Sequence, residues 1–221
     1  MPQTLPSHAI ASGPEPNDAT PFLPERRSLK ALREAAGDCR GCHLWRGATQ
    51  TVFGEGLKRA RVMLVGEQPG DKEDLAGQPF VGPAGRELDR GLEEAGIVRD
   101  EAYVTNVVKH FKFEERGRRR IHQTPKRFEI DACKPWLAEE LEAVQPQALV
   151  LLGAVAAKAL LGSSFRVTRH RGELLDSELA PLVSATIHPS AILRAPDERA
   201  RAAEREAFAR DLRVVVEALS R

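Results

Sequence analysis

The sequence predicts an α/β fold, a three-layer αβα arrangement in which a central, mostly parallel four-stranded sheet lies between two layers of helices. Four short apolar runs, rich in β-branched residues, alternate along the chain with segments of helical periodicity. An uninterrupted apolar run of this length is typical of a strand buried on both faces, so helices are expected on both sides of the sheet. The strands are predicted at 62–66, 102–108, 148–153 and 182–187.

Residues 1–24 differ in composition from the rest of the chain. They hold six prolines and few large apolar residues, which predicts a disordered tail because such a segment cannot bury enough apolar surface to fold. A single folded domain is therefore expected over residues 25–221, a length sufficient for one α/β domain with a buried core.

The predicted helices fill the intervals between the strands. Thr124 and Pro125 form a good N-cap and first-turn pair for one of them, which is expected to break or kink at Pro135. The helices are predicted at about 26–36, between Pro83 and Gly96, from Thr124 through Cys133, up to Leu161 after the third strand, and over about 197–219.

Bulk composition sets few limits on function. The chain has 33 Lys and Arg residues against 32 Asp and Glu residues, a formal net charge of +1, so any nucleic-acid-binding surface has to be local. No apolar run reaches the length of a membrane span, and the N-terminus lacks the pattern of a secretory signal. An intracellular, cytoplasmic protein with no membrane partner is expected, and we expect a monomer.

The loop that follows the first strand is a candidate site. Glu67 and Gln68 lie between Gly66 and Gly70, at the carboxyl end of a buried strand, where open α/β sheets bind their ligands. No Gly-Lys-Ser/Thr follows, and no third glycine stands at dinucleotide-binding spacing, so a phosphate-binding loop is disfavoured. A solvated acidic turn is the alternative.

The three cysteines, an odd number, do not suit a disulfide framework. Cys39 and Cys42 form a Cys-x-x-Cys pair that follows a predicted helix, whereas the redox motif of this type opens a helix after a strand. With Cys133 as a third ligand, the best fourth ligand is His110, because His43 adjoins Cys42 and would be strained. Such a set can hold zinc or a [4Fe–4S] cluster, and three buried thiols without a metal remain an alternative.

The connection from Lys109 to Gln123 is longer than a usual βα loop and strongly basic. Its charge favours binding to a phosphate backbone, with a salt-dependent affinity. A solvated charged loop is the ordinary alternative. His122 ends the arginine run. A histidine in such a run is more often an exposed bystander than a catalyst, and only its position beside the carboxyl ends of the strands makes it a catalytic candidate.

Taken together, the motifs of this chain resemble those of a known family, the iron–sulfur uracil-DNA glycosylases of the family-four type. The resemblance extends from about residue 39 to the C-terminus and rests on the order of the Cys pair, 66–70, 77–82, 103–109, Cys133 and 188–190. Two departures, Gln68 in place of alanine and the inserted residues 118–122, resemble the UdgX-type branch, whose members bind uracil-DNA and become covalently attached to it. His110 stands where a cysteine is expected, which also fits that branch.

The resemblance implies how a flipped uracil is bound. Phe80 is similar to the aromatic residue that stacks on the base, within a pocket that includes Gly66. Asn106 matches the asparagine that hydrogen-bonds the uracil edge. His188 matches the histidine beside uracil O2, where negative charge grows as the base leaves.

The resemblance also implies covalent capture. His122 attacks C1′ of the sugar, Glu67 orients or deprotonates its imidazole, and Gln68 positions the His122 loop or the sugar. Asp71 and Asp74 are expected to help shape the pocket. The DNA is expected to contact Arg118, Arg119, Arg120, Lys109 and Ser190.

The expected partners are uracil-containing DNA, held covalently, and free uracil as product. The resemblance favours a structural [4Fe–4S] cluster over zinc, on Cys39, Cys42, His110 and Cys133. Two other hypotheses stay open: an ordinary glycosylase that turns over, and an iron–sulfur redox protein without DNA chemistry.

Overall fold

A computed structural model describes residues 17–221 of the protein. Residues 1–16 of the predicted tail lie outside the described residues. Residues 17–24 do not behave as a tail, because Ala19 is buried and its N–H donates to the carbonyl of Ala132 at 2.9 Å. The folded domain therefore begins before the predicted boundary at residue 25.

Two sheets occur among the described residues. The larger has the order β1-β3-β2-β6-β8-β7, and β4 and β5 form a separate antiparallel pair. The strands are β1 Glu55–Gly56, β2 Val62–Gly66, β3 Tyr103–Asn106, β4 Phe113–Arg116, β5 Arg119–His122, β6 Ala148–Leu152, β7 Leu174–Leu175 and β8 Leu182–Thr186.

The inner four strands of the larger sheet are parallel, as predicted. The sequence did not reveal the antiparallel edges β1 and β7, because a strand of two residues is too short to show a periodicity.

Helices cover both faces of this sheet. They are α1 Leu29–Ala36, α2 Asp71–Ala76, α3 Pro83–Ala95, α4 Arg127–Val144, α5 Ala154–Leu161, α6 Val167–His170, α7 Ser190–Leu193 and α8 Glu198–Leu219, with 3-10 turns at Thr20–Phe22, His43–Arg46 and Arg99–Glu101. No helix in the described range is both long and apolar enough to cross a membrane.

Alternate residues of the central strands belong to two separate cores. Met63 and Val65 of β2 pack with one core, which includes Trp136 of α4, while Leu64 packs with the other, which includes Phe208 of α8. This alternation is what a sheet buried on both faces requires, and it confirms the three-layer arrangement.

The start and the course of α4 differ from the prediction. The helix begins at Arg127 with Lys126 as its N-cap, so Thr124 and Pro125 lie before it. Pro135 does not end the helix, which continues to Val144. Proline removes one backbone hydrogen bond, but the buried side chains around it, such as Trp136, hold the helix in place.

Glu140 of α4 is the centre of a buried polar network. Its carboxylate accepts hydrogen bonds from the Tyr103 hydroxyl at 2.9 Å, the Thr105 hydroxyl at 2.9 Å and the Gly54 N–H at 3.0 Å. It also pairs with the ammonium group of Lys109, which is as deeply buried. The network ties α4 to β3 and to the segment that follows it.

We expect Glu140→Ala to destabilise the protein by about 3–5 kcal/mol, because it leaves the buried ammonium of Lys109 without its counter-ion. Glu142→Ala, an exposed position on the same helix, is the matched control and should change the free energy of unfolding by less than about 0.5 kcal/mol. Urea unfolding curves measure both values. Equal unfolding midpoints for the two variants would contradict the expectation.

Candidate functional site

A cavity of about 680 Å³ opens at the carboxyl ends of the parallel strands. Each of the four strands β2, β3, β6 and β8 contributes a residue at or just after its end, namely Glu67, Asn106, Gly153 and His188. The cavity therefore lies where the topology of an open α/β sheet predicts a ligand site.

Phe80 forms one wall of the cavity and is held in an unusual backbone conformation, with φ of 58°. Its ring stacks on that of His188, with centroids 5.8 Å apart. A side chain at Gly66 would place its Cβ 2.4 Å from Asn106 Oδ1 and 2.6 Å from Phe80 Cζ, so only glycine fits there. Gly66 thus permits the phenyl ring and the amide to meet in one pocket.

Glu73 fixes the loops on either side of Phe80. Its carboxylate accepts hydrogen bonds from the N–H groups of Gly70, at 3.1 Å, and Gly82, at 2.8 Å. No sequence motif pointed to this residue, because its partners are backbone groups.

Asn106 presents an unsatisfied polar atom to the cavity. The residue is buried at the end of β3, and its Oδ1 has no hydrogen-bond partner. A buried polar atom without a partner costs free energy, so this oxygen favours a ligand that can donate a hydrogen bond to it.

His188 is neutral and has a defined tautomer. The Ser190 N–H donates to His188 Nδ1 at 3.1 Å, so the ring proton lies on Nε2. Burial lowers the pKa of His188 to about 4, and the positive charge of Arg194 contributes. The ring therefore offers an N–H donor without a positive charge at neutral pH.

Glu67 and His122 face each other across the cavity rim. Glu67 Oε1 lies 3.6 Å from His122 Nε2, beyond hydrogen-bond distance, and it is buried without a hydrogen-bond partner. Burial raises the pKa of Glu67 to about 7 and lowers that of His122, whose ring remains half-exposed. A carboxylate that gains its proton near neutral pH beside a neutral imidazole is suited to proton transfer.

The strand β5 that carries His122 belongs to a hairpin that the sequence analysis did not predict. Its strands β4 and β5 pair from Phe113 opposite His122 to Arg116 opposite Arg119. Gly117, with φ of 61°, lies in the two-residue turn. The turn glycine was the available signal, but the dense charge hid the alternation typical of a strand.

Gln68 holds the base of this hairpin. Its Nε2 donates to the carbonyls of Lys112 and Gln123, each at 3.1 Å, and its Oε1 accepts from the Lys112 N–H at 3.1 Å. The two ends of the hairpin are thereby fixed to the loop that carries Glu67.

Comparison with known proteins assigns the chain to a family. The profile of the Uracil DNA glycosylase superfamily matches residues 53–213. The chain belongs to that superfamily. The αβα fold and the cavity at its strand ends are therefore those of a superfamily member.

Three relatives have similar overlap with the chain. A Type-4 uracil-DNA glycosylase of Sulfurisphaera tokodaii is 36% identical over 180 residues, which cover 78% of this chain and 79% of the relative. The Type-4 uracil-DNA glycosylase of Pyrobaculum aerophilum is 35% identical over 175 residues, which cover 76% of this chain and 86% of the relative. The Type-4 uracil-DNA glycosylase of Thermotoga maritima is 36% identical over 167 residues, which cover 75% of this chain and 83% of the relative.

Two residues expected to shape the uracil pocket of this superfamily member instead hold Arg120. The Arg120 guanidinium donates to Asp71 at 2.7 Å and to Asp74 at 2.6 Å, and it lies over the rings of Phe111 and Phe113. Arg120 is thus committed to the protein, and Asp71 is directed toward it rather than into the cavity. These three residues brace the hairpin against α2.

The other expected DNA contacts fall into two groups. Arg118 and Arg119 are exposed at the hairpin turn and are accessible to DNA, and Ser190 lies in the cavity beside His188. Lys109 is only 1% exposed and is paired with Glu140, so the expected DNA contact of Lys109 is corrected to a structural role.

Arg194 lies directly after α7 on the cavity wall and was not predicted from the sequence. Its position six residues after His188 was the only signal, and an arginine near a helix end is too common to stand out.

The three cysteines are buried in the same core. N–H groups point at two of the sulfurs, from Trp136 Nε1 to Cys39 Sγ at 3.2 Å and from the Lys109 backbone to Cys133 Sγ at 3.3 Å. Burial raises the pKa of the Cys133 thiol to about 12. N–H donors to buried sulfur are a usual environment of iron–sulfur clusters, so these residues fit one in their chemistry.

His110 is also buried, and its Nε2 lies 2.9 Å from the Thr51 hydroxyl, so Nδ1 is the nitrogen left for a metal. Among the described residues, no three His, Cys, Asp or Glu side chains converge as the ligands of a single ion would.

Proposed function

We propose that the protein excises uracil from DNA and then becomes joined, through His122, to C1′ of the remaining sugar. The observation that carries the proposal is the position of His122 at the cavity rim, 3.6 Å from an unpartnered carboxylate oxygen of Glu67. The hydrogen bonds of Gln68 to the two ends of the hairpin hold His122 there. The similarity to Type-4 uracil-DNA glycosylases supports uracil-DNA as the substrate.

The cavity would receive a uracil that has left the base stack. Phe80 stacks on the flipped base, and the unpartnered Oδ1 of Asn106 accepts the uracil N3–H. Cytosine has no N–H at that position, so Asn106 discriminates between the two bases.

Cleavage breaks the bond between C1′ and uracil N1, and the electron pair leaves with the base. Negative charge then grows on uracil O2, where the neutral Nε2–H of His188 donates a hydrogen bond. A positively charged imidazole would already attract a carboxylate before the bond breaks. The neutral His188 ring does not, so its N–H remains available for the leaving anion.

Capture follows at the electron-poor C1′. The lone-pair nitrogen of the neutral His122 imidazole forms the new bond to C1′, and the proton on its other ring nitrogen passes to Glu67. The protein therefore acts once per molecule, unlike an ordinary glycosylase in which water attacks the same carbon.

A denaturing gel of protein mixed with a uracil-containing oligonucleotide tests this function. We expect one band of protein bound to DNA that survives boiling in detergent, formed with uracil and absent with thymine at the same position. Many uracils released per protein without a shifted band would overturn the covalent step and leave the ordinary glycosylase, which the Type-4 relatives favour.

We further propose a [4Fe–4S] cluster as the cofactor, held by Cys39, Cys42, Cys133 and Nδ1 of His110. When bound, the cluster would cross-link the N-terminal cysteine loop to α4 and to the segment that follows β3. Asn106 is the last residue of β3 and directly precedes this segment. Its role is structural, because the proposed reaction requires no electron transfer.

Replacing Cys133 with serine is expected to remove most of the iron and acid-labile sulfide from anaerobically purified protein, because one corner of the cluster loses its ligand. His43→Ser is the matched control and should retain both, since His43 adjoins Cys42 but is excluded as a ligand by strain. Elemental analysis and visible absorption measure the result. Zinc without iron in the wild-type protein would contradict the assignment.

A further inference from the structure

Arg194 is a cation of the cavity that has no counter-ion among the described residues. It lines the cavity, its side chain is exposed, and no carboxylate in the described part of the chain lies within ion-pair distance of it. Arg120, by contrast, is committed to two carboxylates and two aromatic rings. The charge of Arg194 is therefore not neutralised by a neighbouring carboxylate and can attract an anionic ligand.

The guanidinium of Arg194 is oriented in advance. Its Nη1 donates to the Ser190 hydroxyl at 3.0 Å, and that oxygen lies 2.8 Å from His188 Nδ1. Nε and Nη2 have no acceptor among the described residues, and they form the edge of the guanidinium that binds an oxyanion through two parallel hydrogen bonds.

The charge of Arg194 also reaches the reacting groups. It lowers the pKa of Glu67, His122 and His188, in each case as a smaller effect than burial. Arg194 thus lies near the base, the nucleophile and the donor together. The remaining charged part of a nucleotide bound in this cavity is its phosphate, which has to stay at the mouth because it belongs to the DNA backbone.

We propose that Arg194 binds a backbone phosphate next to the flipped nucleotide, through its Nε and Nη2 donors. The inference rests on the proposed function and adds a phosphate subsite to it. Because Arg194 is fixed to Ser190 and thereby to His188, phosphate binding sets the position of the sugar relative to the donor that receives the departing base.

The test combines a change in the protein with a change in the DNA. Oligonucleotides carry 2′-fluoro-2′-deoxyuridine, whose fluorine slows cleavage so that binding can be measured, with a neutral methylphosphonate in place of the phosphate on the 3′ or the 5′ side. Wild-type protein, Arg194→Gln and Arg210→Gln are compared. Arg210 is an exposed arginine of α8 and serves as the matched control.

We expect Arg194→Gln to weaken binding to the normal oligonucleotide by roughly 10- to 100-fold, the usual effect of losing hydrogen bonds to a charged group. One of the two methylphosphonates should weaken wild-type binding to a similar extent and leave Arg194→Gln unaffected. The salt dependence of log Kd should fall by about 0.7–0.9 in slope for Arg194→Gln and stay unchanged for Arg210→Gln.

Two results would overturn the inference while leaving the proposed function intact: wild-type affinity in Arg194→Gln, or methylphosphonate penalties as large in this variant as in the wild type. A wild-type protein that bound uracil-DNA no better than thymine-DNA would overturn the proposed function, and the phosphate subsite with it.

Discussion

His122→Ser is expected to reduce adduct formation to background while uracil release continues. The substitution removes the only imidazole that faces Glu67 among the described residues and leaves Asn106, Phe80 and His188 to bind and cleave the nucleotide. The smaller side chain opens space at the rim of the cavity, where water can reach C1′. The variant should therefore leave an abasic site in place of an adduct.

A denaturing gel measures the adduct, and hot alkali reveals abasic sites as strand breaks. His170→Ser is the matched control, because His170 is half-exposed like His122 but contacts Glu173 outside the cavity. This control should form the adduct at the wild-type rate. Cross-linking by His122→Ser would place the nucleophile on another residue.

The position of Glu67 was predicted from the sequence alone, because it follows a buried apolar run and open α/β sheets bind ligands at the carboxyl ends of their strands. Asn106 and His188 were assigned from the family resemblance, and the parallel strands bring them to the same edge of the sheet as Glu67. Strand order was not needed for this inference, because all four inner strands end on the same side.

The roles of residues outside the strand ends could not be predicted, because they depend on contacts distant in sequence. Arg120 and its neighbours in the arginine run are alike in sequence, yet only Arg120 meets Asp71 and Asp74, 49 and 46 residues earlier. Lys109 is buried because Glu140 of α4 lies opposite it, 31 residues later. Charge alone predicted DNA contacts for both residues, whereas partners in the fold give them structural roles.

Glu67→Gln is expected to slow adduct formation by about 10²- to 10⁴-fold, the usual contribution of a general base, without weakening DNA binding. An amide has nearly the shape of the carboxylate but cannot take the imidazole proton. Glu115→Gln, at an exposed position of the hairpin that carries His122, is the matched control and should keep the wild-type rate.

The pH dependence of the single-turnover rate should identify Glu67 as the titrating group. Burial raises the pKa of Glu67 to about 7, so the carboxylate is lost as the pH falls through this value. Burial lowers the pKa of His122, which moves its protonation to a lower pH than that of an ordinary histidine. The wild-type rate should rise with pH and level off above about 7. The Glu67→Gln variant should be slow and independent of pH there, and an inflection retained in this variant would assign the titration to another group.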